Sequence, residues 1–201
     1  MDRLVLINEN DPLIYERHET EMTQTFLDGR VKVVVGDITS QALDAIVNAA
    51  NASLMGGGGV DGAIHRAGGP TILDECKEIR RTQFPQGLPT GEAVITSAGN
   101  LPSKFVIHTV GPVYGRHGAD EASLLAACYT NSLQLAINHT LSTIAFPAIS
   151  TGVYGYPLDE AAAVSSEAIK LFLSTERAIE EVRLVFFRDT DAEVFSRHQL
   201  F

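Results

Sequence analysis

The sequence predicts an α/β fold, in which helices cover both faces of a largely parallel sheet. Short β-branched segments alternate along the chain with longer segments of helical periodicity, which is the pattern of α/β layering. The first clear strand, Val31–Val35, is almost continuously apolar, as expected of a strand buried on both faces. A chain of 201 residues, 45% of them hydrophobic, can bury one large core, so we expect a single domain.

Six strands and five helices are predicted beyond residue 30. One long helix carries Leu124, Cys128 and Leu135 at helical spacing, which predicts a buried stripe. The strands are predicted at residues 31–35, 45–49, 93–96, 105–108, 143–146 and 182–187. The helices are predicted at residues 60–67, 70–81, 121–138, 158–173 and 192–198.

Residues 1–30 lack this regular pattern, and we expect an N-terminal extension packed on a domain that spans residues 31–201. Leu4–Ile7 has the apolarity of a short strand but is too short for the core of a signal peptide. No apolar stretch approaches the ~20 residues of a membrane span. The two cysteines, Cys76 and Cys128, lack metal-ligand spacing and are predicted to be buried free thiols, which fits a reducing cytoplasm.

The charge balance argues against one class of partner. A formal net charge of −10 and a sequence pI of about 5.0 do not suit nucleic-acid binding, which needs a surface rich in lysine and arginine. If the chain binds an anion, backbone N–H groups must therefore provide most of the contacts. Zinc-ligand spacing and the Gly-x-Ser-x-Gly nucleophile motif are both lacking, so we expect neither a bound metal nor a serine hydrolase triad.

A run of four glycines, Gly56–Gly59, predicts a place where the backbone approaches a ligand. Such a run is costly, because glycine loses more backbone entropy on folding than other residues. The helix predicted at residues 60–67 would put the glycine amides at a helix N-terminus, where phosphate binds well. Asp61 stands at the same point, after Asn48 and Asn51. We expect a low pKa for the Asp61 carboxyl, because a helix N-terminus favours the charged form.

Three further loops with polar or glycine residues follow predicted strands. Ligands of open α/β sheets bind beyond the carboxyl ends of the strands, so these loops and the glycine run are expected to meet around one ligand. Two glycine-containing loops, an acid after a strand and an aromatic residue are suited to a nucleotide diphosphate. The three loops are Gly36–Thr39, Pro147–Pro157 and Phe187–Asp189.

Residues 57–62 match the GxGxxG pattern, yet a nicotinamide-binding domain is not expected. In that fingerprint the glycines follow the strand directly and an acid lies about 20 residues further on. Here several residues separate the strand from the glycines, and residues 80–82 are Arg-Arg-Thr. A P-loop is excluded, because no Gly-Lys-Ser/Thr follows the glycines.

Several of these residues also have a purely structural interpretation. Asp37 is as well suited to capping the next helix as to contacting a ligand. Tyr154 could simply pack, and Phe187 taken alone is expected in the core. His65, in a helix, and His108, in a strand, are interpreted as structural residues.

Six motifs follow one another along the chain between about residues 31 and 200. They are Gly36–Thr39, Asn48–Asn51, Gly56–His65, Leu88–Ala93, Ile107–Pro112 and Phe146–Pro157. In this combination they resemble the macrodomains, and specifically the MacroD-type ADP-ribosyl hydrolases. The resemblance implies a three-layer α/β/α sandwich around a mixed, mostly parallel six-stranded sheet. Gly68 stands where the family usually has alanine, a departure that is expected to concern only packing.

The resemblance assigns binding residues. It implies that Asp37 accepts a hydrogen bond from the adenine amino group, that the backbone of Ile38 contacts the base and that Phe187 lies over it. The diphosphate would lie between Gly58–Val60 on one side and Ser150–Tyr154 on the other. The residues of these two segments are Gly58, Gly59, Val60, Ser150, Thr151, Gly152, Val153 and Tyr154.

The resemblance also implies a reaction. Asn51 would hydrogen-bond the distal ribose, Tyr154 would position it, and Asp61 would hold a water against the diphosphate. The reaction is hydrolysis of ADP-ribose esters, on Asp or Glu side chains of mono-ADP-ribosylated proteins and in O-acetyl-ADP-ribose. No cofactor is needed, and we expect a monomer. The alternative is a module that binds ADP-ribose without cleaving it, which needs neither Asn51 nor Asp61 for catalysis.

Overall fold

A seven-stranded sheet lies between two layers of helices in the computed structural model, which describes residues 24–201. The strands are β1 (Gln24–Phe26), β2 (Val31–Val35), β3 (Ala45–Ala50), β4 (Ala93–Ser97), β5 (Phe105–Val110), β6 (Thr143–Phe146) and β7 (Glu181–Phe186). The helices are α1 (Gly59–Gly68), α2 (Pro70–Thr82), α3 (Glu121–Asn138), α4 (Leu158–Thr175) and α5 (Asp189–His198).

The interior of the sheet is parallel and its two edges are antiparallel. Across the sheet the strand order is β1-β2-β7-β6-β3-β5-β4. Strands β2, β7, β6, β3 and β5 pair in parallel, whereas β1 runs antiparallel to β2 and β4 antiparallel to β5. The carboxyl ends of the five parallel strands therefore share one edge of the sheet, and the loops that follow them meet there.

Alternate residues of the interior strands bury their side chains in two different cores. On β3, Ile46 and Ala50 pack with the core that contains α1 and α2, whereas Ala45 and Val47 pack with the core that contains α3, α4 and α5. A strand that is buried on both faces needs this continuous apolar sequence. The predicted three-layer α/β/α sandwich is confirmed.

The predicted strand number of six was one too low. The additional strand, Gln24–Phe26, has only three residues and pairs with one neighbouring strand, β2. It is too short to show the period-2 alternation that predicts a strand. Phe26 joins it to the rest of the fold, with its ring centroid 5.2 Å from that of Phe201. The division of the chain at residue 30 stays a prediction, and the strand predicted at Leu4–Ile7 lies outside the described residues.

Two boundaries near the end of the chain also differ from the prediction. Strand β7 ends at Phe186 rather than Phe187, and α5 begins at Asp189 rather than Ala192. Cys76 and Cys128 are fully buried free thiols, as predicted. Among residues 24–201, every helix is too short or too polar to cross a membrane.

Packing explains why position 68 is glycine rather than the alanine that is usual in similar sequences. A Cβ at this position would lie 2.1 Å from Cδ1 of Ile72 and 3.1 Å from the carbonyl oxygen of Ala98. Ile72 is fully buried, so its side chain fills the space that an alanine methyl group would take. Glycine is therefore needed at the junction of α1 and α2 as long as position 72 is isoleucine.

We expect Gly68→Ala to lower the free energy of unfolding by about 1–3 kcal/mol, because it overpacks the core. Ile72→Val alone should cost about 0.5–1.5 kcal/mol. In the double variant the alanine methyl enters the space left by Cδ1, so urea unfolding should show a loss at least about 1 kcal/mol smaller than the sum of the single losses. Ile79→Val, in the same helix, serves as the additive control. Additivity in the Gly68–Ile72 pair would contradict this packing.

Candidate functional site

A cleft of about 850 Å³ opens at the edge of the sheet where the parallel strands end. Its volume lies within the range of small-molecule sites. Its walls come from the loops after β2, β3, β6 and β7, so it collects the motifs that the sequence places after strands. All the predicted site residues line it: Asp37, Ile38, Asn51, Gly58, Gly59, Val60, Asp61, Ser150, Thr151, Gly152, Val153, Tyr154 and Phe187.

One wall of the cleft is the uncapped N-terminus of α1. Gly58 is the N-cap residue, and no side chain among the described residues caps the helix there. The N–H groups in the first turn of a helix have no partner within the helix, so those of Gly59–Asp61 are free to bind a ligand. Gly59 has a φ of +58°, a conformation that favours glycine. This wall can therefore bind an anion through backbone N–H groups and the helix dipole.

The opposite wall is the loop after β6. Within residues 24–201, the N–H groups of Gly152–Tyr154 donate no hydrogen bond. Ser150 anchors the loop, since its carbonyl oxygen accepts a hydrogen bond from Tyr156 N at 3.0 Å. The anchor fits only because residue 111 is glycine: a Cβ there would lie 2.1 Å from Ser150 Oγ. The loop thus offers a second set of free amides across the cleft from α1.

Asp61 is a buried acid at the inner end of the α1 wall. It is only 4% exposed, and its Oδ1 accepts a hydrogen bond from Asn48 Nδ2 at 2.7 Å. His65 Nε2 lies 3.4 Å from the same oxygen. Burial raises the pKa of the Asp61 carboxyl, and the hydrogen bond from Asn48 and the charge of His65 offset only part of this effect.

The expected low pKa of Asp61 was therefore wrong. The sequence locates the carboxyl at a helix N-terminus but does not show that the side chain turns towards β3 and loses its solvent. Desolvation disfavours the charged form and here exceeds the effects that favour it. A carboxylate with a raised pKa is a stronger base, closer to the optimum for proton transfer near neutral pH.

Asn51 holds the loop between β3 and α1. Its Nδ2 donates to the carbonyl oxygen of Gly56 at 2.9 Å and lies 3.5 Å from Asp61 Oδ2, while its Oδ1 accepts from Ser53 N at 2.9 Å. A Cβ on Gly57 would lie 3.0 Å from Asp61 Oδ2 and 3.3 Å from Asn51 Nδ2. The glycine run therefore lets the loop close over the Asn51–Asp61 pair. The contact of Asn51 with a ribose stays a prediction.

The capping interpretation of Asp37 is confirmed, and its contact with a ligand stays a prediction. Its Oδ1 accepts from Thr39 N at 2.8 Å and so caps the short 3-10 turn at Ile38–Ser40. Its Oδ2 accepts no hydrogen bond from the described residues, and Asp37 lines the cleft. One oxygen therefore has a structural role, and the other is available to a ligand.

The two aromatic residues lie at different depths. Phe187 is 83% exposed on the cleft wall, so its expected place in the core was wrong. It follows the last residue of β7, where the chain leaves the sheet. Tyr154 lines the same cleft as Asp61, and burial and the Asp61 charge raise the pKa of its hydroxyl.

Sequence reasoning missed Asn48 as a functional residue. Asn48 is fully buried on β3, opposite His108 on β5, and its amide contacts both His108 and Asp61. A polar side chain in an otherwise apolar strand was the signal that could have found it. Two cations, Arg66 and Arg188, also line the cleft, although backbone amides were expected to dominate.

An α/β sheet that gathers two sets of free amides and a buried acid around one cleft defines a class of phosphate-binding α/β domains. The family model described as Macro domain matches residues 47–165, more than half of the chain. The chain belongs to this family.

Similar proteins are found among curated sequences and solved structures. The O-acetyl-ADP-ribose deacetylase of Citrobacter rodentium is 50% identical over 171 residues, which cover 85% of this chain and 96% of the relative. The Oceanobacillus iheyensis macrodomain with ADP is 47% identical with a TM-score of 0.84, covering 89% of this chain and 94% of that one. The Trypanosoma brucei macrodomain in complex with ADP-ribose is 38% identical with a TM-score of 0.76, covering 84% and 68%.

Burial of Asp61 should make the stability of the protein depend on pH. Because the folded-state pKa of Asp61 is raised, its protonated form favours folding, and this contribution is lost as pH rises from the ordinary value of 3.8 through the folded-state pKa. Asp61→Asn removes this titration. Urea titrations at several pH values give the free energy of unfolding of each protein. The value for Asp61→Asn minus that for the wild type should increase over that pH range. A difference that stays flat or falls would contradict the raised pKa.

Proposed function

We propose that this protein hydrolyses ADP-ribose esters, in O-acetyl-ADP-ribose and on Asp or Glu side chains of mono-ADP-ribosylated proteins. One observation carries the proposal: a buried carboxylate with a raised pKa, that of Asp61, lies beside the free amides at the N-terminus of α1. A site that only binds an anion has no need of a carboxylate beside its backbone amides. The relative named O-acetyl-ADP-ribose deacetylase supports the same activity.

The cleft has a place for each part of ADP-ribose. The diphosphate would accept hydrogen bonds from the N–H groups of Gly59–Asp61 and Gly152–Tyr154. The adenine would lie at the other end, with its amino group donating to Asp37 Oδ2 and its ring against the exposed face of Phe187. The solved macrodomains with ADP and with ADP-ribose support a ligand of this kind.

In the proposed reaction, a water held between Asp61 and the diphosphate attacks the ester carbonyl carbon. Asp61 takes a proton from the water, and as the bond between that carbon and the distal ribose oxygen breaks, Asp61 gives this proton to the ribose oxygen. The ribose oxygen leaves as a hydroxyl group and the acyl group as a carboxylic acid. Asn51, which contacts Asp61, and Tyr154, which lines the same cleft, would hold the ribose in the attacking geometry. Such positioning can contribute several kcal/mol, on the order of 7–11 at most.

The same site indicates what the reaction requires and in which form the protein acts. Every step uses side chains and backbone groups of this chain, so the proposed reaction needs no cofactor or metal. The cleft is built from one chain, and we expect the protein to act as a monomer. The two buried free thiols suit a reducing compartment, and we propose the cytoplasm.

Replacing Asp61 by alanine should separate catalysis from binding. We expect turnover of O-acetyl-ADP-ribose, followed as release of ADP-ribose, to fall by about 10²–10⁴-fold, the usual effect of losing a general base. Affinity for ADP-ribose, measured by calorimetry, should stay within about tenfold, because the diphosphate amides remain. Asp74→Ala, which removes an exposed acid of α2, is the control. Tight ADP-ribose binding without turnover in the wild type would instead indicate a binding module.

Asp37 should determine which nucleobase is accepted. A carboxylate oxygen accepts from the amino group of adenine but repels the carbonyl oxygen of hypoxanthine, so ADP-ribose should bind at least about tenfold more tightly than inosine diphosphate ribose. Asn caps a helix about as well as Asp, so Asp37→Asn preserves the local fold. Because its Oδ1 then caps the turn, its Nδ2, which only donates, faces the base, and the preference for ADP-ribose should be lost or reversed. An unchanged preference in Asp37→Asn would remove Asp37 from the adenine site.

A further inference from the structure

A row of buried polar side chains crosses three neighbouring strands behind Asp61. Asn48 lies on β3, His108 on β5 and Thr96 on β4, and each is at most 3% exposed. Asn48 Nδ2 lies 2.7 Å from Asp61 Oδ1 and 3.1 Å from His108 Nδ1. His108 Nε2 lies 2.9 Å from Thr96 Oγ1, which lies 3.0 Å from the carbonyl oxygen of Ser97.

The direction of every hydrogen bond in this row is determined. An amide nitrogen only donates, so Asn48 Nδ2 donates to His108 Nδ1, which must carry a lone pair. Burial lowers the pKa of His108 to about 3, so the ring is neutral and its one proton is on Nε2. That N–H donates to Thr96 Oγ1, whose hydroxyl donates to the Ser97 carbonyl oxygen. The row therefore holds His108 in a single tautomer.

The Nδ1 lone pair of His108 and Asp61 Oδ1 together hold the Asn48 amide in its orientation. Asn48 Oδ1 is buried and has no hydrogen-bond partner among the described residues. Turning the amide over would expose Asp61 Oδ1 and His108 Nδ1, both acceptors, to Asn48 Oδ1. Two acceptors at these distances repel, so the two lone pairs facing Nδ2 hold the amide in its present orientation.

We propose that His108 is a positioning residue: its Nδ1 lone pair, fixed by Thr96, turns the Asn48 amide so that it holds Asp61 in place for catalysis. This inference rests on the proposed hydrolase function. His108 touches no substrate, since it is fully buried and is separated from Asp61 by Asn48. It acts through its hydrogen bond with Asn48, and the geometry of that bond depends on the hydroxyl group of Thr96, two strands away from Asn48.

The same residues do not suit a metal ion. Ligand atoms of His65, Cys76 and His108 lie within 4.8 Å of one another, which is close enough to consider a metal site. Both nitrogens of His108 are already engaged, one as an acceptor and one as a donor. Burial also raises the pKa of the Cys76 thiol to about 12, which disfavours the thiolate that a metal needs. Hydrogen bonding is the role that the geometry supports.

The ionisable groups that face Asp61 come from every element around it. They are His65 of α1, Cys76 of α2 and Tyr154 of the loop after β6, with His108 of β5 behind Asn48. Cys76 and His108 stay uncharged near neutral pH because burial disfavours their charged forms. Loss of the Asn48 hydrogen bond should therefore appear as a further rise in the pKa of Asp61.

A pair of substitutions at Thr96 tests the proposal. Thr96→Val keeps the shape of the side chain but removes the acceptor for His108 Nε2–H, and Cys76 Sγ, at 3.8 Å, is a weak replacement. Thr96→Ser keeps the hydroxyl group. For O-acetyl-ADP-ribose we expect kcat of Thr96→Val at pH 7 to fall at least about tenfold, with KM and ADP-ribose affinity changed less than about twofold. The acid limb of the kcat profile should move to higher pH. Thr96→Ser should match the wild type in each respect.

The tautomer itself is read by ¹⁵N NMR of the His108 ring, and the Asp61 carboxyl is titrated by ¹³C NMR. We expect protonated Nε2 in the wild type and in Thr96→Ser, and loss of this single tautomer with a higher Asp61 pKa in Thr96→Val. These readouts need no turnover, so they decide the positioning role even if the wild type fails to hydrolyse the ester. If Thr96→Val does not fold, Thr96→Ala replaces it. Equal losses in Thr96→Ser and Thr96→Val, or an Asp61 titration unchanged in Thr96→Val, would overturn the proposal.

Discussion

The site depends on one buried hydrogen bond, from Asn48 Nδ2 to Asp61 Oδ1 at 2.7 Å. It joins an interior strand, β3, to the first turn of α1 and keeps the Asp61 carboxylate away from the N–H groups of its own helix. Those N–H groups consequently remain free for a ligand. The same bond only partly offsets the burial that raises the pKa of Asp61. One contact thereby separates the free backbone N–H groups from the Asp61 carboxyl, to which we assign anion binding and proton transfer respectively.

In an acidic protein, a diphosphate is bound best where backbone groups rather than acidic side chains face the phosphates. The chain carries a formal net charge of −10, yet the two walls formed by Gly58–Val60 and Ser150–Tyr154 present mainly backbone groups. Backbone dipoles favour an anion without adding mobile charged side chains. Asp61 is buried at the inner end of the cleft, and this burial raises the pKa of its carboxyl. The glycine run is the condition for this arrangement, because a side chain at Gly57 would contact the Asn51–Asp61 pair.

The strands, helices and cleft loops could be predicted because strands buried on both faces have continuous apolar sequences and the loops after parallel strands converge. What could not be predicted depends on where side chains turn. Strand β1 is too short to show a period-2 pattern. The apolar sequence of β7 does not show that the strand ends before Phe187, which is exposed. The pKa of Asp61 and the role of Asn48 depend on burial and on partners 13 and 60 residues apart in sequence. The partners in these contacts leave no local signal, although a polar residue in an apolar strand does mark Asn48.

The central claim is that Asp61 directs a water to the ester carbonyl of a bound ADP-ribose ester. Single-turnover hydrolysis of O-acetyl-ADP-ribose in H₂¹⁸O, followed by mass spectrometry of both products, tests it most directly. Our account predicts that one ¹⁸O atom enters the acetate and none enters ADP-ribose, because the bond to the carbonyl carbon is the one that breaks. Label in ADP-ribose, or no release of acetate from a fully bound substrate, would contradict it.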